Sequence, residues 1–310
     1  MTTRTARVAT ALLGGAAALL TLAAPATAAT ATARPSITAQ QLDLTPTDRG
    51  YVGTMTATVT NPGSTATSVD LVVTEPAGAS FTTIEPGGPC FYERLVENRL
   101  VTSCYGGRIE AGASLTFQLG FQVWTTARDY PMVSRDGRIA VVPAGATDPS
   151  DTARFTTLFE STTGSVRSPR TYVQATETDL TIRGEAVVLT RQADGSLLGR
   201  MPVTVRYGND APSFHLNVNA ALPAGVIVHH IEPQDMPSFP DSFVVPGGRF
   251  MPGEERTFDV YLSAPAGTPA GALGTGSYTL SPSYFYGSSM PGVDPADNTT
   301  SFPVTAVEAG

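Results

Sequence analysis

The chain has 310 residues, with Gly 30, Pro 25, only 15 % charged residues and a formal net charge of −8. All nineteen basic residues are Arg, which excludes a lysine nucleophile, a Schiff base and Lys–Asn isopeptide staples. An acidic chain without a basic run is also a poor binder of nucleic acid or anionic lipid.

Residues 1–28 read as a signal peptide. Arg4 and Arg7 supply the positive start, residues 8–22 the apolar run, and Ala24-Pro25-Ala26-Thr27-Ala28 the small residues for cleavage after Ala28. The run is short for a membrane span. Cleavage leaves 17 basic against 27 acidic residues, a charge of −10. Residues 29–35 read as a flexible leader. The C-terminal residues hold no apolar span and no Leu-Pro-x-Thr-Gly. The expectation is a secreted, extracellular protein with no membrane insertion after cleavage.

The first unit is expected over 36–159. Residues 51–60 alternate, with Met55, Ala57 and Val59 on one face and threonines on the other, as a half-buried strand does. Asn61-Pro62-Gly63-Ser64 is a turn. Val69, Leu71 and Val73 mark the next strand, Glu75-Pro76-Ala77-Gly78 turns again, and 81–84 is a short strand. Cys90 and Cys104 follow, with thirteen residues between them. In an exported chain two cysteines read as a disulfide, and the redox alternative lacks Cys-x-x-Cys. Then comes the clearest signal in the chain: the turn Gly107-Arg108-Ile109-Glu110-Ala111-Gly112-Ala113-Ser114 leading into Leu115, Phe117, Leu119, Phe121 and Val123 on alternate positions.

Residues 160–178 are polar and read as a linker, partly packed through Val166, Tyr172 and Val173. The second unit, 179–310, repeats the first. Met201, Val203 and Val205 answer Met55, Ala57 and Val59. Pro223-Ala224-Gly225 answers Pro76-Ala77-Gly78, and Glu232-Pro233 answers Glu85-Pro86. Gly248-Arg249-Phe250-Met251-Pro252-Gly253 repeats the turn before an alternating strand. Asp294-Pro295-Ala296-Asp297 answers Asp148-Pro149-Ser150-Asp151. Asp179-Leu180-Thr181 is also read as an echo of Asp43-Leu44-Thr45. Two all-β units of seven or eight short strands, split by Gly/Pro turns, predict two tandem β-sandwiches.

These landmarks in this order resemble the secreted bacterial Ig-like repeats known as domain of unknown function 11, and the related CARDB-like modules. The resemblance covers most of both units. It implies an immunoglobulin-like sandwich with a disulfide between Cys90 and Cys104, and it brings no catalytic residues. The second unit departs by lacking the cysteines.

Chemistry is sparse. His215, His229 and His230 are the only histidines. Adjacent strand positions should send His229 and His230 to opposite faces, with His215 across a strand from one of them. Gly287-Ser288-Ser289-Met290-Pro291 lacks the glycine spacing of a nucleophile elbow. Glu254 and Glu255 read as a solvated corner. Asp294, Asp297 and Asn298, and likewise Asp148 and Asp151, could offer oxygens to Ca²⁺, although Asp before Pro is first a turn signal. Tyr278, Tyr284 and Tyr286 are the candidate recognition aromatics, with the core of the last hairpin as the simpler reading. The expected protein is therefore a non-enzymatic, cofactor-free structural or interaction module. Its partner would be an extracellular protein or a cell-wall polysaccharide.

Overall fold

The computed structural model describes residues 34–285 and 290–309. The expected signal peptide, most of the leader, Tyr286 and the two serines after Gly287 lie outside the described residues. The first sandwich runs β1 Ser36–Ala39, β2 Leu42–Thr47, β3 Gly50–Thr60, β4 Thr67–Thr74, β5 Phe81–Glu85, β6 Cys90–Val96, β7 Arg99–Ile109, β8 Ser114–Val123, β9 Met132–Pro143 and β10 Asp151–Phe159. One sheet is β5-β8-β3 with β1 beside β3; the other is β10-β9-β4-β7-β6. Strand β2 joins them: residues 42–44 run parallel to β10, and residues 45–47 form a hairpin with β3. The short β11 Arg170–Thr171 adds to β9.

The second sandwich runs β12 Leu180–Gly184, β13 Val187–Arg191, β14 Leu197–Tyr207, β15 His215–Ala221, β16 Ile227–Glu232, β17 Ser238–Phe239, β18 Ser242–Val244, β19 Glu254–Ala264, β20 Gly271–Ser283 and β21 Thr299–Val307. Its order, β16-β19-β14-β13-β21-β20-β15-β18-β17, repeats the first strand for strand. Among the described residues every regular element is a strand.

The alternation seen in the sequence is what packs. In β8, Phe117, Leu119, Phe121 and Val123 are buried while Thr116 and Gln118 face solvent; in β19, Phe258, Val260, Leu262 and Ala264 do the same. Phe121 meets Phe155 of the opposite sheet with ring centroids 5.9 Å apart, and Phe258 meets Phe243 at 5.8 Å. Each such side chain contributes about 1.5–3 kcal/mol when fully buried.

The duplication extends to details that composition does not show. A Cβ on Gly53 would lie 2.1 Å from the Asp43 carbonyl oxygen, and one on Gly199 would lie 2.4 Å from that of Val188. Glycine there lets the linking strand cross the sheet at close range. Gly137 lies under the Phe155 ring, and Gly276 lies under that of Phe302.

The same registers correct one expectation. Ile37 pairs with Val59, and Ile182 pairs with Val205. Leu180 therefore belongs to the counterpart of β1, whereas Leu44 lies in β2. The likeness of Asp179-Leu180-Thr181 to Asp43-Leu44-Thr45 is a coincidence of composition. The paired Asp-Pro-x-Asp segments hold up better. Ile37 N–H donates to Asp151 Oδ2 at 2.9 Å, and Ile182 N–H donates to the Asp297 carbonyl oxygen at 3.1 Å. In both copies the segment before the last strand clips down the first.

Candidate functional site

The described residues belong to one compact unit, Ala33–Gly310, and the most elaborate chemistry in it lies where the two sandwiches meet. Three segments of the first sandwich form one side: the Glu75-Pro76-Ala77-Gly78 turn, the β6–β7 hairpin, and Trp124-Thr125 after β8. The second sandwich answers with residues 209–215 after β14, with the turn around Arg249, and with Tyr284 after β20.

The hairpin reaches across. The Tyr92 ring stacks on Phe214 at 5.6 Å, Phe214 meets Tyr284 at 5.8 Å, and the Tyr284 hydroxyl donates to the Asn98 carbonyl oxygen at 2.8 Å. Ala79, Leu100 and Tyr284 form a buried cluster with Leu95 and Phe285 against it. Cys90 and Cys104 stand directly opposite in β6 and β7 and are joined as the expected disulfide. The bond staples the arm that carries this contact. In the second copy the matching hairpin, β17–β18, has strands of two and three residues. That copy has no comparable arm to staple.

Beneath the hairpin lies Glu75, 1 % exposed. Its Oε1 accepts from Phe81 N–H at 2.9 Å, and its Oε2 accepts from Ala79 N–H at 2.8 Å and Leu100 N–H at 3.1 Å. Burial outweighs these donors and the nearby Arg249 charge, and pushes the carboxyl up to about 7.

Arg249 enters from the other side. Its Nη1 donates to the Ala79 carbonyl oxygen at 2.7 Å, and its guanidinium lies 4.5 Å from the Phe214 ring centre and 5.6 Å from that of Trp124. Arg49 covers the same indole at 5.1 Å and donates to the Arg249 carbonyl oxygen at 2.7 Å. Such cation–π contacts are worth about 0.5–2 kcal/mol, more when desolvated. Glu254 holds this turn: it accepts from Met251 N–H and from Arg256, and it pairs with Arg49 at 3.4 Å. The solvated-corner reading therefore fails for Glu254, and Glu255 alone is exposed.

Asp210 closes the joint. Oδ2 accepts from Thr125 Oγ1 at 2.8 Å and from the Tyr172 hydroxyl at 2.9 Å; Oδ1 accepts from Ala175 N–H at 3.1 Å. Burial, then the Asp210 charge, raises the Tyr172 pKa well above the ordinary phenol range. Gln174 bridges the sandwiches, accepting from Gly78 N–H at 2.6 Å and donating to the Asp210 carbonyl oxygen at 3.0 Å. A Cβ on Gly78 would lie 2.6 Å from Asn98 O and 2.8 Å from the Tyr284 hydroxyl. Gly78→Ala is therefore expected to wedge the joint, costing about 1–3 kcal/mol. Exposure of Trp124, the only tryptophan, should be read by its emission maximum in the native state; an unshifted maximum and an unchanged melting temperature would contradict the packing described.

Beside Asp210 a groove of about 500 Å³ opens between the sandwiches. Arg128, Tyr130, Arg170 and Thr171 line it from the first copy, and Asn209 and Asp210 from the second. The Arg170 guanidinium lies over the Tyr130 ring, 3.9 Å from its centre.

The other expected site residues take different places. Tyr278 is 0 % and Tyr284 4 % exposed; a ring so enclosed cannot stack on a sugar, so neither supplies an exposed platform. Tyr278 belongs to the second core, and Tyr284 to the joint. Asp151 spends both oxygens on backbone N–H groups, of Ile37 and Thr152. Asp294 Oδ1 caps Ala296 N–H at 3.0 Å, Asp297 offers its carbonyl to Ile182, and Asn298 offers its own to Leu280 N–H. Asp148 lies on the exposed turn before β10. Among the described residues no group of three His, Cys, Asp or Glu is placed to hold a metal ion.

His229 and His230 do not point apart. A register shift between Val228 and His230 brings their Nδ1 atoms to 2.8 Å, with His230 stacked on Tyr261 at 4.2 Å. A bulge of this kind breaks the period of two on which the expectation relied. His215 lies in β15, separated from β16 by five strands in the strand order, and β15 pairs with β18 and β20 rather than with β16.

Sequence reading missed Glu75, Arg249 and Asp210. A signal was present for two of them: Glu75 and Asp210 interrupt an otherwise matched repeat, whereas Arg249 stands where the first copy has Arg108. Leu222 stands where the first copy has Glu75, and Gly208-Asn209-Asp210 replaces the Asn-Pro-Gly turn.

No protein-family model and no curated protein matches the chain. Among solved structures, a protein of unknown function from Porphyromonas gingivalis W83 superposes with TM-score 0.23 and 10 % identity, over 88 % of this chain and 98 % of its own. A non-cellulosomal cohesin from the hyperthermophilic archaeon Archaeoglobus fulgidus gives TM-score 0.27 and 16 % identity, over 42 % and 93 %. The N-terminal domain of PorA gives 0.25 and 14 %, over 41 % and 97 %. At such TM-scores the likenesses bear on neither ligand nor activity.

Proposed function

We propose that this chain is a secreted, non-catalytic interaction protein of the cell envelope or medium, related to the Ig-like repeats it resembles. The observation that carries the reading is the joint. Buried Glu75 orders the first sandwich's side of it, and Arg249, Asp210, Gln174 and Tyr284 bond across it, holding the two sandwiches in one arrangement. Their role is display of a composite surface with set geometry, as a binding protein needs.

The test is where the protein goes and what it holds. Recovery from the medium or cell surface with an N-terminus at Ala29, cross-linked to a partner there, supports the reading. Recovery only inside cells with residues 1–28 attached, or a hydrolytic activity abolished by one Asp, Glu or His substitution, overturns it.

A glycan-binding reading gains support from a different place than the second sandwich. Phe91 is 67 % and Tyr105 48 % exposed. The register sets Phe91 opposite Ser103, two residues from Tyr105 on the same face. Exposed rings so placed suit sugar stacking. Retention of a Phe91→Ala/Tyr105→Ala double variant on insoluble polysaccharide or purified walls, equal to that of the parent, would remove this reading.

A further inference from the structure

We infer that the groove between the sandwiches binds an extended, carboxylate-rich peptide segment of a protein partner. The inference rests on the interaction-protein reading and specifies its site and the chemistry of its ligand.

Charge is the first argument. Arg128 and Arg170 are exposed at the groove, and neither guanidinium is paired with a carboxylate among the described residues. The chain around them is strongly acidic. Contact with the Tyr130 ring restrains the Arg170 guanidinium and leaves its N–H donors free for a two-pronged contact with a carboxylate. Asp210 is the sole acid among the lining residues. Both of its oxygens are already taken by Thr125, Tyr172 and Ala175. The rim is therefore open to a foreign anion.

The backbone is the second argument. Arg170 N–H donates to Pro131 O at 3.0 Å, and Tyr172 N–H to Val133 O at 2.9 Å. In a parallel ladder alternate residues bond to the same neighbour. The N–H and C=O of Thr171, between them, turn away from β9. Thr171 is exposed and lines the groove. A two-residue strand with an open edge can accept another extended chain by strand addition. Guanidinium groups alone would serve an acidic polysaccharide equally well; the open peptide edge favours a polypeptide. A volume of about 500 Å³ suits a few side chains, within the range of about 300–1,000 Å³ for ligand pockets.

The experiment measures fluorescence anisotropy of a labelled Glu-rich dodecapeptide with the full chain as isolated from the medium. Its Gln-for-Glu counterpart and polygalacturonate serve as alternatives. Binding of the Glu-rich peptide is expected to weaken about tenfold or more in Arg128→Ala/Arg170→Ala. Thr171→Pro deletes the free N–H and should weaken it about fivefold. Both variants should melt close to the parent, since Arg170 loses only an exposed contact with Tyr130 and the Thr171 N–H points away from β9; Arg128→Gln/Arg170→Gln replaces the Ala pair if that pair melts early. The Gln peptide should bind at least about tenfold more weakly than the Glu peptide. Equal binding by parent and Arg variants overturns the groove. Polygalacturonate binding that depends on the arginines, with a peptide affinity indifferent to Thr171→Pro, overturns the polypeptide assignment. A parent that ignores the Glu-rich peptide also overturns the groove, while the export and cross-linking test still decides the broader reading.

Discussion

Glu75→Ala is expected to be the most damaging single substitution in the first sandwich. It strands the buried N–H groups of Ala79, Phe81 and Leu100 together. Each unpaired buried donor costs about 1–3 kcal/mol, so the loss should reach at least about 3 kcal/mol by urea unfolding followed at Trp124. A loss near zero would mean that water or a moving backbone supplies the donors. Glu75→Gln should also destabilise, because one acceptor oxygen becomes a donor facing a backbone N–H. It should further change the pH profile. The folded carboxyl titrates near 7, against 4.5 when unfolded. Between these values the folded chain keeps a proton that the unfolded chain has released. The contribution to stability is therefore greatest below about pH 4.5, falls as pH rises, and levels off above about pH 7. The span corresponds to about 3 kcal/mol. Other carboxylates titrate too, so the quantity to measure is the parent-minus-Gln difference at pH 5 and pH 7.5, and a difference of zero would refute the assignment.

The second large effect is expected from Cys90→Ala/Cys104→Ala. Closing a loop with a sequence separation of 14 is worth about 3 kcal/mol in the chain-entropy model. The loss should not be confined to the first sandwich, because Tyr92, Leu95, Asn98 and Leu100 all contact or pack toward the second through this hairpin. The cysteine-free variant should show early proteolytic cleavage within residues 91–103 and a shifted Trp124 emission. A variant that melts lower but resists protease at the hairpin would separate the disulfide from the joint.

What the sequence made legible was periodicity. Alternation in Leu115, Phe117, Leu119, Phe121 and Val123 requires one buried face, and the structure buries Phe117, Leu119, Phe121 and Val123. Turn residues are equally local: Asn61 sits where a turn was expected, its side chain donating to Thr65 O, Ile109 O and Glu110 O. The joint was not legible because its parts are local look-alikes with different neighbours. Arg108 and Arg249 occupy the same place in the repeated turn, yet Arg108 is exposed while Arg249 is inserted between sandwiches. Gly78 and Gly225 end the same tripeptide. Gly225 has φ of +82° and only Pro265 near, a turn glycine; Gly78 is required by packing against Asn98 and Tyr284. The histidine pair failed for another reason: one bulge shifts the register, and a period of two has no memory beyond it.

The joint also has a direction. The first copy contributes an acid under a stapled arm, and the second contributes an arginine turn and a tyrosine. Neither copy carries the other's half: Leu222 replaces Glu75, β17–β18 replaces the arm, and Arg108 stays outside. A head-to-tail contact between like copies would propagate without end unless something stopped it. Here the stop is written into the divergence of the two halves. Each half fits only its opposite: the stapled arm and acid of the first copy seat on the arginine turn and tyrosine of the second.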